Sequence, residues 1–151
     1  MKSLSFIVIG EPKGQPRAKA GRRGGFTRHY DPGTADAWKG LVREAASKAI
    51  AEAGYSGGYP IFTGPVRVDL KLWFPRPKSH FTKKGIRPDA PTYHTSKPDR
   101  DNCDKAVLDA LGAECLQIWR DDAQVADGSI SKTYAAPGQA AGASVDILCL
   151  K

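Results

Sequence analysis

Apolar and polar positions alternate most cleanly in Val66-Arg-Val-Asp-Leu-Lys-Leu-Trp-Phe74, where Val66, Val68, Leu70, Leu72 and Phe74 fall on one side of an extended chain. Period two over nine residues predicts a half-buried strand. Shorter runs at Leu4 to Ile9 and at Ala143 to Leu150 are rich in the β-branched and apolar residues of buried strands. A fourth strand is expected from Gln124 or Val125 to Tyr134, interrupted near Asp127-Gly128. Helical spacing appears twice. Trp38, Leu41, Val42, Ala45, Ala49, Ile50 and Ala53 recur at i, i+3, i+4 and i+7, with Thr34 or Asp31 as cap and Gly54 as stop. From about Asn102, the residues Cys103, Ala106, Val107, Ala110 and Leu111 share one face of a second helix, while Asp101, Lys105 and Asp109 share another. Gly112 weakens that helix, which can run on briefly through DALGAECLQIW. The predicted order is strand, helix, strand, helix, strand, strand.

Two stretches fit no period. Residues 11 to 33 and 75 to 98 contain prolines and glycines and read as loops, and a long connection in a compact chain is usually functional or mobile. Both are basic. The first carries Lys13, Arg17, Lys19, Arg22, Arg23, Arg28 and His29, interleaved with Phe26 and Tyr30. The second carries Arg76, Lys78, Lys83, Lys84, Arg87 and Lys97, with Phe81 and Tyr93. Cations alternating with aromatic rings suit contact with a nucleic-acid backbone and its bases, although a solvated basic loop has the same composition. Lys13, Arg17, Lys19, Arg22, Arg23, Arg28, Arg76, Lys83 and Lys84 are the candidate DNA contacts. Gly21, Gly24 and Gly25 lack a following Gly-Lys-Ser/Thr and make no phosphate loop. His29, His80 and His94 are isolated and suit solvated or phosphate-contacting roles.

Charge is distributed unevenly. Between 101 and 128 there are seven acidic residues (Asp101, Asp104, Asp109, Glu114, Asp121, Asp122 and Asp127) against Lys105 and Arg120, whereas the other residues hold 21 basic and 9 acidic side chains, for a net charge of +7. Gathered carboxylates repel one another, and a hard divalent cation neutralises an all-oxygen cluster. A basic chain with an acidic centre suggests chemistry on a polyanion. Asp99 and Asp101 enter the second helix and Asp122 begins a later strand, so three carboxylates from separate elements are expected to converge. Lys105, one turn after Asp101, is placed to contact a phosphate or a leaving group; an ordinary ion pair with Asp101 is the alternative. Asn102 is expected to cap or orient the helix entry. Cys103, Cys115 and Cys149 have no metal-ligand spacing and read as free, mostly buried thiols. One domain over residues 1 to 151, with no membrane span and no signal peptide, points to the cytoplasm.

The string KPDRDNCDKAVLDAL at 97 to 111, followed by WRDDAQV at 119 to 125, closely resembles the RusA family of Holliday-junction resolvases, endodeoxyribonucleases of bacteria and their prophages. The opening GEPKGQPRAKAGRRGGFTRHYDPGTADAWKGLV is also similar to that family, so the resemblance spans nearly the whole chain. It implies an α+β domain with a mixed sheet of about four strands on two main helices, a homodimer, and paired symmetric nicks in four-way DNA junctions. It also implies Mg²⁺ as cofactor, with Mn²⁺ as a substitute. Carried onto this chain, the metal-binding and catalytic aspartates are Asp99, Asp101 and Asp122, and the functional lysine is Lys105. Asp121 falls on a neighbouring acidic position that tunes the site, and Asp109 on a structural one. Cys103 departs from the aliphatic residue usual there, and the 75 to 98 segment is longer than in the shortest members. A catalytically silent junction-binding protein of the same fold is the alternative from a different class.

Overall fold

The computed structural model describes residues 2–16, 19–23, 26–30, 33–55 and 58–151, with backbone alone for 19–23 and 26–30. Its centre is a mixed four-stranded sheet in the order β1 (Ser3–Ile9), β8 (Gly142–Cys149), β4 (Val66–Phe74), β7 (Val125–Tyr134). β8 is antiparallel to both β1 and β4, and β4 runs parallel to β7. Parallel neighbours need a crossover, and the connection from β4 to β7 carries α2 (Arg100–Leu111). The other long helix, α1 (Asp36–Glu52), joins β1 to β4 in sequence and packs on β1 and α2. The α+β class and the element order match the reading of the periodicities.

The alternation of β4 is realised residue by residue: Val66, Val68, Leu70, Leu72 and Phe74 are buried, and they share one core with Val42 and Ile50 of α1 and Val107 and Leu111 of α2. Each such side chain contributes about 1.5–3 kcal/mol when fully withdrawn from water. The five apolar residues expected on one face of α2 are all buried. α1 departs in detail. Leu41 and Ala53 are exposed, Ala46 is buried instead, and the helix begins after Ala35 with no side-chain cap, so Thr34 does not cap it; Asp31 lies outside the described residues.

β7 runs without the break expected at Asp127-Gly128. A bulge accommodates Ala126 instead, because Val66 pairs with Val125 while Arg67 pairs with Asp127. Gly128 is required one residue later, since a Cβ there would run into the Val68 carbonyl. α2 stops at Leu111 and does not continue through Gly112.

Neither basic stretch is wholly irregular. The first contains an antiparallel hairpin of β2 (Lys19–Arg23) and β3 (Phe26–Tyr30). The second contains a 3-10 turn at Lys78–His80 and a two-residue hairpin, β5 (Phe81–Thr82) and β6 (Gly85–Ile86). Its last part lies along the outer edge of β7, where Tyr93 bridges Thr133 and the His94 amide donates to the Lys132 carbonyl at 3.0 Å. Among the described residues no helix is long and apolar enough to cross a membrane.

Candidate active site

α2 carries the acidic motif, and its two ends hold different parts of it. Asp99 is the N-cap residue, yet its side chain makes no capping bond; Lys97 Nζ donates to its Oδ2 at 2.9 Å instead. Asp101 follows in the first turn, exposed, with no partner among the described residues. Both carboxylates sit where the helix macrodipole favours negative charge. The segment before the first basic stretch is fastened here. The Gln15 amide donates to the Asn102 carbonyl at 2.8 Å, and Lys39 Nζ of α1 donates to Gln15 Oε1 at 2.9 Å. Gly14 makes the approach possible, because a Cβ would lie 2.8 Å from Pro98 Cβ and 3.0 Å from Asn102 Cβ. Asn102 does not cap the helix, since the cap position belongs to Asp99; its contact with Gln15 is made by the backbone carbonyl. Lys13 is thereby placed beside the N-terminal end of α2.

Asp122 is at the other end. Trp119 Nε1 donates to its Oδ1 at 2.8 Å, and a Cβ built on Gly112, just past the last turn of α2, would meet that same oxygen at 2.7 Å. From Asp101 to Gly112 the helix rises about 16 Å. The convergence of Asp99, Asp101 and Asp122 is therefore not made within one chain, and the described residues contain no group of three His, Cys, Asp or Glu side chains able to hold a metal ion.

The WRDDAQV string explains how Asp122 is held. Asp121 Oδ1 accepts from the Ala123 amide at 2.7 Å and caps the 3-10 turn Asp122–Gln124, so its carboxylate serves the turn. Gln124 Oε1 accepts from the Arg120 and Asp121 amides at 2.8 and 3.3 Å, while its Nε2 donates to the carbonyls of Phe62 and Gly64 at 3.1 and 2.9 Å. Trp119, Gln124 and Gly112 were not among the candidate site residues expected from sequence. Their signal was present only as the residues surrounding the two aspartates in the motif.

A cleft of about 280 Å³ between α2 and the start of β7 is lined by Arg100, Asp104, Leu108, Asp122 and Asp127. Burial pushes the Asp104 carboxyl upward, partly offset by the Arg100 charge. Lys105 is exposed and pairs with Asp109 at 3.3 Å, not with Asp101. Beneath it, burial pushes the Cys103 thiol up to about 11, so Cys103 is a packing residue; Cys115 is exposed and Cys149 half-buried.

The candidate DNA contacts divide into groups. Lys13 pairs with Glu11 at 3.6 Å near the Asp99 end. Lys83 and Lys84 are exposed at the tip of the β5–β6 hairpin. Arg76 is half-buried in the wall of a second cleft. Arg17 lies outside the described residues. Lys19, Arg22, Arg23 and Arg28 are on the β2–β3 hairpin, their side chains outside the description. His80 and His94 are not solvated loop residues: both are half-buried against aromatic rings.

The family model for endodeoxyribonuclease RusA matches residues 10–145. YqaN of Bacillus subtilis (strain 168), an uncharacterized protein, is 36% identical over 137 residues, covering 89% of this chain and 89% of its own length. A match over nearly the whole chain, with the acidic motif and its supporting turn inside it, places this chain in the RusA endodeoxyribonuclease family.

Proposed function

We propose that this protein is a Mg²⁺-dependent endonuclease that resolves four-way DNA junctions by paired nicks, acting as a homodimer whose metal centres are each shared between protomers. The observation that carries the proposal is the placement of Asp99 and Asp101 at one end of α2 and Asp122 at the other, all three exposed. A two-fold dimer that sets the two α2 helices side by side and antiparallel brings the N-terminal end of one against the C-terminal end of its partner. It makes two such meetings, one for each strand to be cut.

The donor set fits a hard cation. All three groups are carboxylates, Asp122 lies against a helix end that disfavours negative charge, and the cleft beside it adds Asp104 with only Arg100 to balance it. When bound, Mg²⁺ supplies an activated water and positive charge for the phosphate in the transition state. The protein residues position and neutralise. Trp119 and Gln124 fix where the Asp122 oxygens lie, and the helix entry fixes Asp99 and Asp101. Lys105, on a long exposed side chain whose partner among the described residues is Asp109, can turn toward the phosphate and stabilise the leaving oxygen. Lys13, Lys83 and Lys84 supply phosphate contacts that hold the arms of the junction.

The test is cleavage of a synthetic four-way junction and of a linear duplex of the same sequence, each in Mg²⁺ and in EDTA. Junction-selective nicking that EDTA abolishes is the expected result. Equal cutting of both substrates contradicts junction resolution, and undiminished cutting in EDTA contradicts the metal.

A further inference from the structure

A larger cleft, of about 760 Å³, opens immediately before Asp99, with Lys97 and Pro98 in its wall and Lys13 at its rim. That volume falls in the range of small-molecule sites. The wall formed by the second basic stretch and the end of the sheet consists of planar groups locked in place. Phe74 and His94 are stacked with ring centroids 3.9 Å apart and 12° between planes. Tyr134 stands edge-on to His94 at 5.1 Å and to His80 at 4.7 Å. The Arg76 guanidinium lies 5.3 Å from the Tyr134 ring centroid, with Nε donating to the Ala135 carbonyl at 3.0 Å and Nη1 to the Pro91 carbonyl at 2.7 Å.

Arg76 is bound by uncharged acceptors and, among the described residues, forms no ion pair, so its charge remains available to a ligand. A guanidinium held beside a ring by two backbone carbonyls is a preorganised stacking surface for a planar heterocycle, unlike a long side chain that swings to meet a phosphate. His94 Nδ1 is buried with no partner among the described residues, which leaves one unmet hydrogen-bonding group in the wall. Burial also lowers the His94 pKa, which keeps the imidazole neutral at pH 7.

We infer that this cleft is a nucleotide subsite: it takes one unstacked base of the cut strand, next to the metal-ligating end of α2 at Asp99 and Asp101, on the wall formed by Arg76, Tyr134 and His94. Lys13 and Lys97, which also line the cleft, are then the cations for the flanking phosphates. The inference rests on the nuclease reading for the strand it places there. It assigns Arg76 to base stacking, where the sequence marks it as a candidate DNA contact of unspecified kind.

The test uses four-way junctions carrying 2-aminopurine, in turn, at each position flanking the cut, bound to the full-length protein in EDTA so that the DNA stays intact. Emission is expected to rise at one position, and the rise to be lost in Tyr134→Leu and in Arg76→Gln, each checked for an unchanged melting temperature. With Mg²⁺, an abasic nucleotide at that position is expected to slow wild-type cutting roughly tenfold, the scale of one base–aromatic stack, and to add little to the defect of Arg76→Gln. An absence of brightening at every position overturns the subsite, as does brightening that survives both substitutions. An abasic nucleotide without effect on the wild type shows a phosphate-only cleft and also overturns it. A wild type that cuts junctions without brightening any position leaves the nuclease reading standing and removes the subsite alone. Brightening without cutting in Mg²⁺ does the reverse.

Discussion

At the N-terminal end of α2 the carboxylates are set by the helix itself: Asp99 occupies the cap position and pairs with the exposed Lys97, and Asp101 lies in the first turn. At the C-terminal end, Asp122 belongs to a different segment and is brought to the helix by Trp119, by a turn that Asp121 caps, and by the four hydrogen bonds of Gln124. One end depends on local geometry and charge. The other depends on a scaffold that reaches 62 residues back to Phe62. Damage to the first should therefore change chemistry with little change in stability, whereas damage to the hydrogen-bonded scaffold of the second should change both.

The largest expected effect is common to the two ends. Asp101→Asn and Asp122→Asn should each reduce junction cutting on the order of a thousandfold, the scale of losing a group that stabilises charge at the reacting centre. Gel-shift binding should persist, because the basic segments are untouched. Next, Gln124→Ala should lower the unfolding free energy by about 2–3 kcal/mol, since it strips partners from the Phe62 and Gly64 carbonyls and two turn amides. Lys97→Ala at the other end removes a surface pair and should change stability by less than about 1 kcal/mol. Urea titrations of the two variants make that contrast directly; equal losses would contradict it.

Gly112→Ala separates geometry from stability at the C-terminal end. Its φ of −75° accepts alanine, but the new methyl would press on Asp122 Oδ1. Cutting should fall roughly tenfold, as for loss of a positioning contact to a metal ligand, while the melting temperature stays close to wild type. The smallest effect concerns the cleft near the N-terminal end. Burial holds the His94 pKa below its ordinary value of 6.5, so the unfolded chain takes up the proton first. Its contribution is full above about pH 6.5 and is lost as pH falls through that range. Asp69, held below the usual carboxylate range mainly by Arg67, loses its contribution only at more acidic pH, below about 3.8. His94→Phe should flatten the dependence of stability between pH 7 and 5, measured by chemical denaturation.

The same contrast explains what could be read from sequence. The faces of α2 and β4 were legible because burial on a regular element leaves its period in the chain, as Cys103, Ala106, Val107, Ala110 and Leu111 do at helical spacing. The β2–β3 hairpin left no such mark, since Lys19–Arg23 pairs through its backbone and has no apolar alternation. The motif singles out the candidate residues, but their arrangement was not legible in it. Asp122 depends on Gln124 bonding to carbonyls 60 and 62 residues away, and no local pattern encodes that distance. His94 looked solitary for the same reason: Phe74 and Tyr134, on two different strands, provide its surroundings.

Mixing Asp101→Asn with Asp122→Asn protein tests the shared metal centre most directly. In a heterodimer of the two, a site built across protomers gathers both substitutions into one centre and leaves the other intact. Each variant alone should be inactive, and the re-equilibrated mixture should recover nicking of a four-way junction, one strand at a time. If every site is instead built within one chain, each centre of the heterodimer carries a substitution, and a mixture as inactive as its components would contradict the shared site.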